Sequence, residues 1–248
     1  MKDLYIRKMS LIDSPPKDSY LNRLPVVKHL AEHGIEFHRQ VTFFVGENGS
    51  GKSTLIEALA VSQGFNPEGG TKNFRFSTED SHSELYYHLR VARGAVYPRD
   101  GFFLRAESFY NVASNIDQMD REPGLGPPVI ASYGSRSLHK QSHGESFLAL
   151  AQTSFRPNGL YLLDEPEAAL SPQRQLTLLL EIDRCAKEES QFLIVTHSPI
   201  LLALPGAEIL SFDDGQIHPC AYEETDSYQV TAMFINHREQ ILRRLLEE

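Results

Sequence analysis

Tryptophan is absent from the 248 residues, and cysteine nearly so, with only Cys185 and Cys220. Two thiols cannot build the disulfide framework of a small secreted domain or a cysteine-based zinc centre. Each reads instead as a reduced thiol, Cys185 in a helix and Cys220 near a strand. No apolar run approaches the roughly 18 residues that a membrane-crossing helix needs. Met1 to Leu11 alternates charged with apolar residues and has no apolar centre of signal-peptide length. The expectation is a soluble, cytoplasmic chain. Basic residues are not in excess either: 24 Lys and Arg face 33 Asp and Glu, a formal net charge of −9. The whole molecule is therefore no electrostatic trap for nucleic acid or anionic lipid, which leaves such a role to a local patch. Internal repeats and low-complexity tracts are also lacking. What is present is a hydrophobic fraction of 41%, enough for a sizeable core in one α/β domain with a modest subdomain.

The apolar patterning divides this domain into strands and helices. The first forty residues are mixed, with Pro15-Pro16 reading as a turn. Val41-Thr42-Phe43-Phe44-Val45 is β-branched and aromatic, a buried strand, and Lys52 to Ser62 carries Leu55, Ile56 and Leu59 at helical spacing. Between Gly64 and Pro128 the pattern is irregular, with Leu85–Val91 fitting helix or strand and Phe102-Phe103-Leu104 a short strand. Further on, Phe147–Thr153 reads as helix, Leu160–Leu163 as strand, and Pro172–Lys187 as a helix capped by Ser171. Phe192–Thr196 is a further buried strand, Glu208–Phe212 and Gln216–His218 a hairpin, and about Ala232 to Leu246 a last helix. Strands alternating with helices predict a mostly parallel central sheet with helices on its faces.

Between the first buried strand and its helix stands Gly46-Glu47-Asn48-Gly49-Ser50-Gly51-Lys52-Ser53-Thr54, a match to G-x-x-x-x-G-K-[ST]. Glycines let the backbone curl so that successive N–H groups face a phosphate, helped by the positive end of the following helix. Lys52 would supply a point charge to the β- and γ-phosphates, and the Ser53 hydroxyl would ligate Mg²⁺. The ligand implied is ATP with Mg²⁺. Leu160-Tyr161-Leu162-Leu163 then runs into Asp164-Glu165, two carboxylates at the carboxyl end of a strand, where open α/β sheets bind ligands. Asp164 would hold the metal, and Glu165 would orient or deprotonate an attacking water.

From about Val41 to the C-terminus, these residues resemble the ATPase domain of the ABC type, and more closely the small stand-alone AAA-family or ABC-like ATPases. Asp164-Glu165-Pro166 with Glu167-Ala168-Ala169-Leu170-Ser171-Pro172 resembles that class's Walker B and D-loop. Ile194-Val195-Thr196-His197-Ser198-Pro199 resembles its switch-histidine segment. Gln141-Ser142-His143-Gly144-Glu145 sits where the class carries Leu-Ser-Gly-Gly-Gln, matching at Ser142 and Gly144 only. The resemblance implies a P-loop NTPase, ABC-ATPase-like, spanning 1–248 as one domain with a smaller helical or antiparallel subdomain at about 64–150. It implies ATP hydrolysis in a head-to-tail homodimer, with Ser142 and the segment near Ser171 completing the partner's site. His197 becomes a γ-phosphate sensor that orients Glu165, although a histidine after a buried strand is often only structural. Glu107, in Leu104-Arg105-Ala106-Glu107, stands where the class has a glutamine that contacts the metal. Tyr20, Tyr5 and Phe37 compete as the ring that stacks on adenine, against roles in turns or core. Arg238, Arg243 and Arg244 read as a solvated helix face. Three outputs stay open: a switch acting on a partner protein or nucleic acid, the nucleotide-binding subunit of a transporter, and a scaffold that scarcely turns over. The changed signature weighs against ordinary transport, and the intact Asp164-Glu165 pair with His197 weighs against a scaffold.

Overall fold

The computed structural model describes residues 3–71, 83–105 and 143–246, without the side chains of His143 and Gly144. The expected metal ligand Glu107 and the expected signature serine, Ser142, lie outside these residues.

The centre of the fold is a sheet made from apolar runs. Five strands, β3 (Val41–Val45), β5 (Asp100–Arg105), β6 (Gly159–Asp164), β7 (Gln191–Val195) and β8 (Glu208–Ser211), lie parallel in the order β5-β6-β7-β3-β8. A short β9 (His218–Pro219) pairs antiparallel with β8, forming the hairpin read from the sequence. Every residue of β3, β6 and β7 is buried, as expected of parallel strands covered on both faces. The two-residue period of a strand then sorts their side chains. Phe43, Tyr161, Leu163, Phe192 and Ile194 enter one core cluster, which includes residues of α4 (His143–Ser154) and α5 (Pro172–Lys187). Phe44, Leu162, Leu193 and Val195 enter the other, with residues of α1 (Pro25–Glu32) and α2 (Lys52–Ser62).

A second sheet, antiparallel, has the order β2-β1-β4, built from β1 (Ile6–Leu11), β2 (Ile35–Glu36) and β4 (Leu89–Arg93). Two of its strands come from the first forty residues, where the sequence shows no regular pattern. The ambiguous Leu85–Val91 stretch is shared out, with one helical turn, α3 (Leu85–His88), followed directly by β4. Within 64–150, β5 joins the main sheet and β4 the second one. Ser171 takes the N-cap position of α5 in an extended conformation, but its hydroxyl makes no cap bond, so Pro172 at the first position carries that start. After a short α6 (Pro199–Leu202), the last helix, α7, spans Asp226–Leu246, beginning earlier than its apolar pattern suggests and broken at His237 (φ −129°). Arg238, Arg243 and Arg244 are exposed on it. Among the described residues no helix is long and apolar enough to cross a membrane. Cys185, in α5, and Cys220, just after β9, are free thiols, each pushed up to about 11 chiefly by burial.

One buried side chain joins the two sheets. The amide of Gln191 at the start of β7 accepts from the Ile6 N–H at 2.8 Å and donates to the Ile6 carbonyl at 2.9 Å. It thus acts as a strand neighbour beside the irregularity in β1 between Ile6 and Lys8. Gln191→Leu fills the space but strands two buried backbone groups, each worth about 1–3 kcal/mol. We expect a loss of roughly 2–4 kcal/mol in denaturant unfolding. A loss under about 0.5 kcal/mol, the range of ordinary surface substitutions, would mean that this link does not join the sheets.

Candidate functional site

β3 ends at Val45, and the chain turns through a loop before α2. Gly46 (φ 132°) and Gly51 (φ 95°) hold backbone conformations closed to other residues. Both are also tightly packed: a Cβ on Gly46 would stand 2.9 Å from Asp213 Oδ1, and one on Gly51 would stand 2.5 Å from Val26 Cγ1. Gly51 is the N-cap of α2 and offers no capping side chain, so the first N–H groups of an 11-residue helix face the loop. Lys52 is buried, and its ammonium donates to the carbonyls of Gly46 and Glu47, each at 2.7 Å, and to Ser50 Oγ at 3.3 Å. Burial lowers its pKa, while Asp213, Glu165 and Asp164 act in the opposite direction. The loop thus curls around its own cation, with carboxylates beyond it.

The two halves of the predicted metal site meet. Ser53 Oγ donates to Asp164 Oδ1 at 3.0 Å, joining the first turn of α2 to the end of β6. Among the described residues no three carboxylate, imidazole or thiol groups gather as a metal cluster. The donor set is therefore a hydroxyl and a carboxylate oxygen, hard ligands that fit Mg²⁺, an ion that keeps waters and takes the rest of its shell from substrate phosphates. Arg105, paired with Asp164 in the sheet register, adds a cation: its Nε lies 3.7 Å from Asp164 Oδ2 and its Nη1 2.5 Å from Glu57 Oε2. Glu57 is buried in α2, and its other oxygen accepts from Ser83 N. This bridge ties α2, β5 and β6 together under the Ser53–Asp164 pair.

Glu165 and His197 are also brought together. Glu165 adopts the left-handed conformation (φ 50°, ψ 52°), and its N–H donates to the Val195 carbonyl at 2.9 Å. Its Oε1 lies 3.8 Å from His197 Nε2, with both side chains partly open to solvent. Behind them, Glu167 Oε1 accepts from the His197 N–H at 2.6 Å, and burial raises the Glu167 pKa. Ser198 Oγ donates to Gln175 Oε1 at 2.6 Å, and Gln175 Nε2 donates to the Leu170 carbonyl at 3.1 Å.

On the other flank, Asp213 Oδ1 accepts from Glu47 N at 2.9 Å and Oδ2 from Ser211 Oγ at 2.7 Å. A cleft of about 1150 Å³ opens here, between Gly46–Ser50, His197, the Asp213–Gly215 turn and the start of α7. Ser53, Asp164 and Glu165 are not part of its lining. Asn48 and Gly49 are exposed on the loop, and Thr54 lies in the first turn of α2. Gly144 falls in the first turn of α4, and its neighbour Glu145 pairs with Arg174 at 3.1 Å. Of the adenine candidates, Tyr5 and Phe37 are core residues, while Tyr20 is exposed and donates to Ser83 Oγ. Sequence reasoning missed Asp213, Arg105, Glu57 and Gln175. Asp213 reads only as a turn residue, and no spacing rule connects 213 with 47. Arg105 was in plain view beside Glu107, and as a charge ending a buried apolar strand it could have been flagged.

Comparison with known proteins agrees with this geometry. A family model described as "AAA domain, putative AbiEii toxin, Type IV TA system" matches residues 132–203, and one described as "AAA domain" matches 26–96. The thiamine import ATP-binding protein of Rhizobium meliloti is 28% identical over 201 residues, covering 77% of this chain and 81% of that protein. Its counterpart in Haemophilus influenzae is 29% identical over 187 residues, covering 70% of this chain and 83% of that protein. Among solved structures, an ATP-binding cassette of an ABC transporter aligns over 95% of this chain and 97% of its own. At 15% identity and a TM-score of 0.50, that likeness speaks to the fold alone. The chain is thus similar in sequence to ATP-binding proteins of import systems and has the fold of an ATP-binding cassette, in agreement with an ATPase of the ABC type.

Proposed function

We propose that this chain is an ATP-gated switch, closing as a head-to-tail homodimer on two ATP molecules and opening after hydrolysis, to act on a partner protein or nucleic acid. The observation that carries the reading is the 3.0 Å contact between Ser53 and Asp164 beside the buried Lys52 ammonium. The N–H groups of Gly49–Thr54 and the Lys52 ammonium bind the β- and γ-phosphates. Ser53 and Asp164 would hold Mg²⁺, with Glu107 as a third candidate ligand, and the ion when bound would offset charge on the phosphate oxygens. Glu165 orients a water on the γ-phosphorus and accepts its proton as the new P–O bond forms and the bond to the β–γ bridging oxygen breaks. Such a positioned base contributes ~10²–10⁴ in rate. His197 holds Glu165 and senses the γ-phosphate. Ser142, together with Gly144 in the first turn of α4, contacts the γ-phosphate bound by the other copy, and the pairing of Glu145 with Arg174 supports keeping that carboxylate from the anion.

A second reading has specific support. The thiamine import relatives are nucleotide-binding parts of transport systems by name, so a subunit that drives a separate membrane protein is the alternative. The family model over 132–203, described by a toxin system, favours the switch.

Lys52→Ala removes the ammonium and is expected to weaken ATP binding at least a hundredfold by calorimetry; unchanged affinity would refute the loop assignment. Glu165→Gln is expected to keep ATP affinity, to lower turnover at least a hundredfold, and to sediment as a dimer only with ATP. Turnover at the parental rate in that variant would remove Glu165 from its role. Mixing Ser142→Arg with Lys52→Ala subunits should restore about one working site per heterodimer. A mixture as inactive as its components would exclude sites shared between copies.

A further inference from the structure

We propose that Glu167 is a positioning residue for His197, and that Glu167 and Gln175 together make the placement of His197 follow the segment Pro166–Ser171. The inference rests on the role given to His197 above.

Residues 167 and 197 come from different strand ends, 30 positions apart, yet a carboxylate oxygen of one is the acceptor for the main-chain N–H of the other at 2.6 Å. A hydrogen bond to a carboxylate is stronger than one between neutral groups. Glu167 stands in a 3-10 turn, Pro166–Ala169, opened by the left-handed Glu165. Its backbone is fixed locally, because Ala168 N donates to the Glu165 carbonyl and Leu170 N to the Glu167 carbonyl. The side chain is not needed to close this turn. Glu167 Oε2 is buried, and the Thr196 side chain, next to His197 in sequence, is a further hydrogen-bonding neighbour of this carboxyl group. Burying a carboxyl group is costly, so a purely packing role would favour a small or apolar residue here.

A second tether runs parallel to the first. Gln175 spans from the Leu170 carbonyl, in the same segment, to the Ser198 hydroxyl, and that hydroxyl in turn accepts from the N–H groups of Ile200 and Leu201. His197 and Ser198 are thus each attached, through one side chain, to the stretch that follows the catalytic carboxylate. The consequence is geometric: a displacement of Pro166–Ser171 pulls on the backbone of His197 and alters its 3.8 Å approach to Glu165. A contact made on that segment by a second copy of this chain then sets whether His197 faces Glu165.

The test compares Glu167→Ala, which removes the acceptor, with Glu167→Gln, which keeps an acceptor oxygen. Glu167→Ala should lower kcat tenfold or more with ATP affinity by calorimetry within about twofold, and Glu167→Gln should recover most of the loss. The His197 amide proton, held by a carboxylate at short range, should resonate downfield in NMR spectra, move upfield in Glu167→Ala and less so in Glu167→Gln. Gln175→Leu should reduce kcat by a smaller factor, and Glu167→Ala with Gln175→Leu should lose no more than His197→Ala. Turnover untouched by His197→Ala would sink the role of His197 itself. A strong loss in His197→Ala beside normal kcat and an unmoved amide in Glu167→Ala would overturn the tether alone. An equal loss of ATP affinity, kcat and thermal stability in both Glu167 variants would also overturn it, as the mark of a merely structural residue.

Discussion

A hydroxyl and a carboxylate that lie 111 residues apart in sequence stand 3.0 Å apart in space, and the remainder of the site depends on that meeting. Nothing local brings it about. Ser53 is carried by the helix that follows β3, and Asp164 ends β6, with β7 between the two strands. Parallel registry makes all three strands finish at one edge of the sheet: Phe44 aligns with Val195, and Val195 with Asp164. A slip of two residues at either pairing would move the carboxylate by about 6–7 Å, out of reach of the hydroxyl. Apolar side chains on both faces hold the register, because a slip of one residue would turn each inward residue to the wrong face. The cores are therefore part of the site's geometry.

This explains which parts of the structure are legible in the sequence. Strands buried on both faces show as unbroken runs, so Val41–Val45, Leu160–Leu163 and Phe192–Val195 declare themselves, as do the loop and the carboxylates at their ends. β1 hides, because Ile6-Arg7-Lys8-Met9-Ser10-Leu11 mixes one buried face with charges and carries an irregularity in its pairing. β2 has only two residues, too few for any period. The start of α7 at Asp226 is likewise obscured, because it is set by Thr225, whose buried hydroxyl accepts from Tyr228 N, and not by an apolar stripe. Side chains that organise the site from a distance are the least legible. Asp213, Gln175 and Gln191 each bond to backbone or side-chain groups far along the chain, and a polar residue facing a distant partner has no local signature.

The electrostatics of the site are those of crowded anions around a sheltered cation. Asp164, Glu165 and Asp213 all act on Lys52, whose ammonium is held by carbonyls and a hydroxyl of its own loop. Arg105 supplies the counter-charge on the far side of Asp164, and its bond to buried Glu57 fixes the guanidinium in place. A bare acidic strand end would repel a polyphosphate. Here Lys52 and Arg105 flank the carboxylates, so the acidic strand end carries counter-charge in the folded chain before any anion arrives.

The backbone of Glu165 shows the same economy at one residue. A left-handed conformation costs a non-glycine residue roughly 1–2 kcal/mol, and glycine would avoid that cost. Glutamate stands there instead, so the strain must be offset by the surroundings. Two bonds supply this: Glu165 N–H to the Val195 carbonyl extends the sheet by one step, and Ala168 N–H to the Glu165 carbonyl closes the next turn. The reversal between them throws the side chain off the sheet edge toward His197 instead of letting it continue along the strand. Asp164, one residue earlier and still in regular strand, keeps its carboxylate at Ser53. The two adjacent carboxylates thereby meet different partners, one Ser53 in the first turn of α2 and the other His197. Relaxing that angle would carry Glu165 on along the strand and change its 3.8 Å approach to His197.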